Sequence, residues 1–112
     1  MAVLADFVFF DASSTSTTSN TLRVPPDADA LVMQVEKLSD DATVSLTLQG
    51  QTDLNGDNPW VNLAVMDHTA FTTGSAINAE GIYAVAASGI RLMRVVSGGS
   101  AGSVRVHAVA IS

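Results

Sequence analysis

Apolar and polar residues alternate with a period of two along several stretches of the chain, the repeat of a strand with one buried face. Over residues 43–49 the pattern is strict, with Val44, Leu46 and Leu48 on one side and Thr43, Ser45, Thr47 and Gln49 on the other. Residues 103–110 repeat it: Val104, Val106, Ala108 and Ala110 face one way, Arg105 and His107 the other, so the chain is expected to close in a strand. Residues 30–37 are ambiguous by period alone, because Leu31, Met33 and Val35 alternate while Glu36 and Lys37 would also suit a helix. Pro25-Pro26 before them and Ser39-Asp40-Asp41 after them are turn signals, and the short span between favours a strand. Further strands are predicted at 4–10, 60–66, 81–87 and 90–96, each bounded by Gly, Asn, Asp or Ser. About eight short strands with no amphipathic helix between them predict an all-β fold, an antiparallel, jelly-roll-like β-sandwich. The expected organisation is one domain, with a strand and a Ser/Thr-rich arm or loop over 1–21 and the sandwich over 22–112.

Two features resist the simple alternation. The small polar residues from Ser13 to Thr21 cannot build a core, yet Val8-Phe9-Phe10 stand directly before them. That apolar end must be buried against this sandwich or a neighbouring copy, which makes Phe9 and Phe10 protein-interface candidates. In a regular strand over 90–96, Arg94 shares a face with Ile90, Leu92 and Val96, while Arg91 lies with Met93 and Val95. Whichever face turns inward carries an arginine, which must find acceptors, be re-aimed by a bulge, snorkel outward or lie in a subunit contact. Arg91 and Arg94 are therefore interface candidates too, and a homo-oligomer is expected.

Composition narrows the function classes. The 112 residues suffice for one core, and with 47% hydrophobic and 14% charged residues the chain is too apolar for intrinsic disorder. It has no cysteine, which excludes disulfides, thiolate metal sites and thiol catalysis. A net charge of −6 makes nucleic acid a poor partner. The longest apolar stretch, 82–96, is broken by Ser88, Arg91 and Arg94, so no membrane partner is expected. The first residues lack a basic segment and are interrupted by Asp6, so no signal peptide is expected either.

No catalytic or metal constellation stands out. Asp53, Asn55 and Asp57 alternate oxygen ligands, but Gly56 and Ala64 fall where a calcium loop would need other residues, leaving a weak metal candidate and an ordinary Asn-Gly hairpin turn as the expectation. The two histidines, His68 and His107, have no nucleophile at a selective spacing, and no enzyme and no cofactor are expected. The Gly-rich 97–102 segment lacks the lysine of a phosphate cradle and reads as a loop. Trp60 and Tyr83 are expected in the core; exposed, they would instead form a sugar-stacking platform, the mark of a carbohydrate-binding module.

The segments Val44-Ser-Leu-Thr-Leu-Gln-Gly-Gln-Thr-Asp53, Asn58-Pro-Trp-Val-Asn-Leu63, Glu80-Gly-Ile-Tyr-Ala-Val85, Gly89-Ile-Arg-Leu-Met-Arg94 and Ser103-Val-Arg-Val106 form a succession that resembles small β-sandwich proteins of tailed-phage virions. The resemblance spans about residues 20–112 and implies a virion structural protein without catalysis. It implies most directly a head decoration, or cement, protein on the capsid exterior, often trimeric, with the major capsid protein as partner and synthesis in the host cytoplasm. A tail or fibre-associated protein is the next implication.

Overall fold

The computed structural model describes residues 2–13, 18–40, 42–68, 70–98 and 103–112. Among them are ten strands and no helix: β1 (Val3–Ser13), β2 (Leu22–Arg23), β3 (Ala30–Lys37), β4 (Leu46–Gln51), β5 (Val61–Asn62), β6 (Val65–Asp67), β7 (Thr72–Gly74), β8 (Gly81–Ala86), β9 (Leu92–Ser97) and β10 (Val104–Ile111). They form two sheets, ordered β1-β10-β3-β8-β6-β7 and β2-β9-β4-β5, with every neighbouring pair antiparallel. Without the β6–β7 hairpin, eight strands remain, arranged β1-β10-β3-β8 over β2-β9-β4-β5. Successive strands then fall in opposite sheets up to the β4–β5 hairpin, and first pairs with last. That is jelly-roll connectivity, with β6 and β7 as an extension of one sheet.

The alternation places the core as expected. Leu31, Met33 and Val35 of β3, Leu46 and Leu48 of β4, and Val104, Val106, Ala108 and Ala110 of β10 are buried between the sheets. Tyr83 and Val85 of β8 join them, as do Met93 and Val95 of β9.

Three expectations are corrected in detail. The predicted strand over 60–66 is two strands: β5 belongs to the four-stranded sheet and β6 to the six-stranded one, so the chain changes sheets at Leu63-Ala64. β2 and β7, of two and three residues, were too short to carry a period. The Asn55-Gly56 pair does not make a two-residue hairpin, because β4 and β5 are joined by the longer 52–60 connection. Of the polar arm, residues 14–17 lie outside the described residues, as do Asp41 of the turn after β3 and 99–102 of the Gly-rich loop.

β1 pairs with β10 along its length and forms an edge of the six-stranded sheet. Val8 pairs with His107 and Phe10 with Val106, which leaves Phe9 as the extra residue of a β-bulge. The bulge is why two successive side chains can both point inward: Phe9 and Phe10 are 2% and 6% exposed. Of the two alternatives for this apolar end, the structure realises burial in the chain's own sandwich. Phe7 packs edge-on against Phe9, with ring centroids 4.9 Å apart.

Candidate functional site

The sandwich leaves two outer faces, and they differ in chemistry. On the four-stranded sheet the dilemma of Arg91 and Arg94 is resolved by parity: Met93, Val95 and Ser97 point inward, and Arg94 points out. Arg91 has the inward parity but precedes the strand; its backbone N–H donates to the Gln51 carbonyl, and its side chain is partly exposed at the mouth of the sandwich. Leu92, though of outward parity, is covered. A Cβ built on Gly56 would lie 3.9 Å from both the Leu92 Cδ1 and the Gln51 Nε2 atoms, so the 52–60 connection lies over this part of the face.

Trp60 is not in the core, contrary to expectation. It sits partly exposed at the end of that connection, with the Arg94 guanidinium carbon 4.1 Å from its ring centroid. Arg94 Nε donates to Gln49 Oε1 at 2.9 Å, and Gln49 Nε2 donates to Asn62 Oδ1 at 3.0 Å. The register explains the grouping, since Gln49 of β4 stands opposite both Arg94 of β9 and Asn62 of β5. Tyr83, by contrast, is buried as expected, and its hydroxyl donates to the Ala79 carbonyl at 2.7 Å. Burial, and then the charge of Asp67, push its phenol above the ordinary tyrosine value.

Of the Asp53, Asn55, Asp57 set, Asp53 and Asn55 are tied into the turn. Asp53 Oδ1 accepts from the Asn55 backbone at 2.9 Å and the Asp53 carbonyl accepts from Gly56 at 3.0 Å, while Gly56 takes a left-handed φ of 77°. Among the described residues no group of three or more His, Asp or Glu side chains is placed to share a metal ion. His68 and His107 lie on the same sheet but are separated by β3 and β8, so the structure does not bring them together. His107 contacts Asp6 at 3.1 Å.

The outer face of the six-stranded sheet is mixed. Arg105 reaches Asp11 at 3.3 Å and Glu36 at 3.6 Å, and next to it runs the row Val8, His107, Gln34, Ile82. The following row is Asp6, Val109, Val32, Ala84, Met66. Val8 and Ile82 are 41% and 43% exposed, and Val3 at the start of β1 is 64% exposed. A third feature is an apolar cleft of about 370 Å³ at the edge of the small sheet, lined by Gly50, Pro59, Val61, Leu63 and Ile90. Gln51 also lines it, and both polar atoms of its buried side chain lack a hydrogen-bond partner.

Two participants were not singled out from the sequence, Gln49 and Asn62. Gln49 was read as the polar side of a strand, which is correct, but polarity alone does not distinguish a solvated amide from one that orients an arginine.

No protein-family model matches the chain, and no curated protein matches it significantly. Solved structures do. The SPBc2 prophage-derived protein YomS superposes with a TM-score of 0.84 at 16% identity, covering 96% of this chain and 92% of that one. The PBSX exported protein XepA superposes with a TM-score of 0.85 at 17% identity over 96% of this chain but only 37% of its own. What the three share at such identities is the jelly-roll fold. The match covers little more than a third of the XepA chain.

Proposed function

We propose that the protein is a structural component of a tailed-phage particle, acting without catalysis as a capsid decoration protein on the head exterior. The observation that carries this reading is the fold held in common, over nearly the whole chain, with a prophage-derived protein. The outer face of the six-stranded sheet supports it, because exposed Val8 and Ile82 beside ion-paired Arg105 and the His107–Asp6 contact suit protein contact better than solvent. The major capsid protein is the proposed partner and a homotrimer the proposed form. Copies that bind only the closed shell stabilise it by mass action, and bridging between capsomers multiplies weak contacts. A tail or fibre-associated position is the second reading, favoured by XepA, where the same fold is one part of a longer chain.

Antibody labelling of particles assembled from the genome that encodes this chain tests both. Label over the head, with saturable rebinding of the purified protein to heads that lack it, is the expected result. Label confined to the tail would replace the first reading with the second, and its absence from purified particles would overturn both.

A further inference from the structure

Arg94 is fixed in place, yet none of the described residues meets its fork. Stacking 4.1 Å from the Trp60 centroid sets the plane of the guanidinium, and the Nε bond to Gln49 sets its rotation. The two terminal nitrogens remain: among the described residues none accepts a hydrogen bond from them and none forms an ion pair with Arg94, although the chain carries eleven carboxylates. Gln49 is itself held by Asn62, whose Nδ2 is left as a further donor on the same side. The strand residues of this face include two arginines, Arg23 and Arg94, and no acid. A planar, partly desolvated fork with free parallel N–H groups is matched by a carboxylate.

The surroundings indicate what bears that carboxylate. The cores of protein interfaces are apolar, and the large exposed apolar side chains that point outward from a sheet face, Val8, Ile82 and Met66, lie on the other sheet, while Val61 of this sheet faces the cleft at its edge. Here the neighbours are an indole, two amides, the hydroxyl of Thr47 and the half-buried Val96 opposite it, and the indole and polar groups match the C–H faces and paired hydroxyls of a pyranose. We propose that the outer face of the four-stranded sheet binds a carboxylate-bearing saccharide chain, with the acid on Arg94, hydroxyls on Asn62 and Gln49, and Trp60 positioning the guanidinium. This holds whichever part of a particle the protein occupies, or none.

Trp60 is the only tryptophan, so its fluorescence reports on the site directly. Titration with a defined oligogalacturonate and with a sialylated oligosaccharide is expected to give a saturable, salt-weakened change with at least one of them, and none with neutral dextran. Arg94→Lys keeps the charge but loses the fork, and should weaken binding by about tenfold or more while lowering the thermal midpoint by only a few degrees. Asn62→Ala should weaken it by a smaller factor. No saturable response to either acidic saccharide overturns the proposal, as does undiminished binding by Arg94→Lys. Equal or tighter binding of polyglutamate would also overturn it, assigning the fork to an acidic polypeptide.

Discussion

At the scale of single residues, the polar groups that matter are those whose surroundings restrict them. Tyr83 is buried with its hydroxyl on the Ala79 carbonyl, and burial together with the negative Asp67 makes its ionisation harder in the native state. A native pKa above the unfolded value near 10 means that the folded chain holds the proton more tightly. The resulting stability is fully present below pH 10 and is lost as pH rises through the native pKa. Tyr83→Phe should cost about 1 kcal/mol at neutral pH by removing the hydrogen bond. Denaturant unfolding of the two proteins should show that gap shrinking above pH 10, because only the tyrosine has stability to lose there. A gap independent of pH would mean that the phenol ionises equally in both states.

At the scale of elements, what could be read from the chain was whatever repeats. β3, β4 and β10 alternate long enough for parity to name their buried residues, and Leu31, Met33, Leu48, Val104 and Val106 are where parity puts them. The 60–66 run was misread because a strand that changes sheets keeps its parity: Val61, Leu63 and Val65 continue in phase while the backbone passes from one sheet to the other. Trp60 was misplaced because its partner, Arg94, arrives from a different hairpin, and only the β4–β9 register brings them together. The bulge in β1 was invisible for the converse reason, since two adjacent phenylalanines break the period without saying how. Its cause can be tested. Deleting Phe9 leaves Phe7, Val8 and Phe10 in regular in-out-in order against Ala108, His107 and Val106, so the ladder can close without it. The deletion should therefore cost no more than Phe9→Ala, about 3–5 kcal/mol for the lost side chain. A deletion that abolishes folding while Phe9→Ala is tolerated would show instead that the bulge itself sets the twist on which β1 depends.

At the scale of the molecule, the two sheets present different chemistry on their outer faces. The six-stranded sheet carries Asp6, Asp11 and Glu36 paired to His107 and Arg105 beside exposed Val8, Ile82 and Met66. Arg105 lies between two of these carboxylates and offsets part of their charge, and the exposed apolar side chains beside them are what would drive association. The four-stranded sheet differs: among the described residues its Arg94 has no ion-pair partner, and its large exposed apolar side chain, Val61, lies at the edge cleft. Assembly is therefore expected through the first face. Native mass spectrometry at low micromolar concentration should find a trimer, and the double variant Val8→Lys/Ile82→Lys should be a monomer that no longer binds particles. Both positions are exposed, so each substitution should alter unfolding free energy by no more than about 0.5 kcal/mol, separating lost assembly from lost folding. A monomeric wild type would remove the trimer, and a double variant that assembles like the wild type would move the contact to another surface. The apolar character of this contact also sets its salt response. Because the attraction comes from apolar area, the oligomer should persist in high salt, whereas a complex held by the Arg94 fork should weaken. Titrating salt over one sample that contains both contacts should separate them, and loss of the oligomer first would reverse the roles assigned to the two faces.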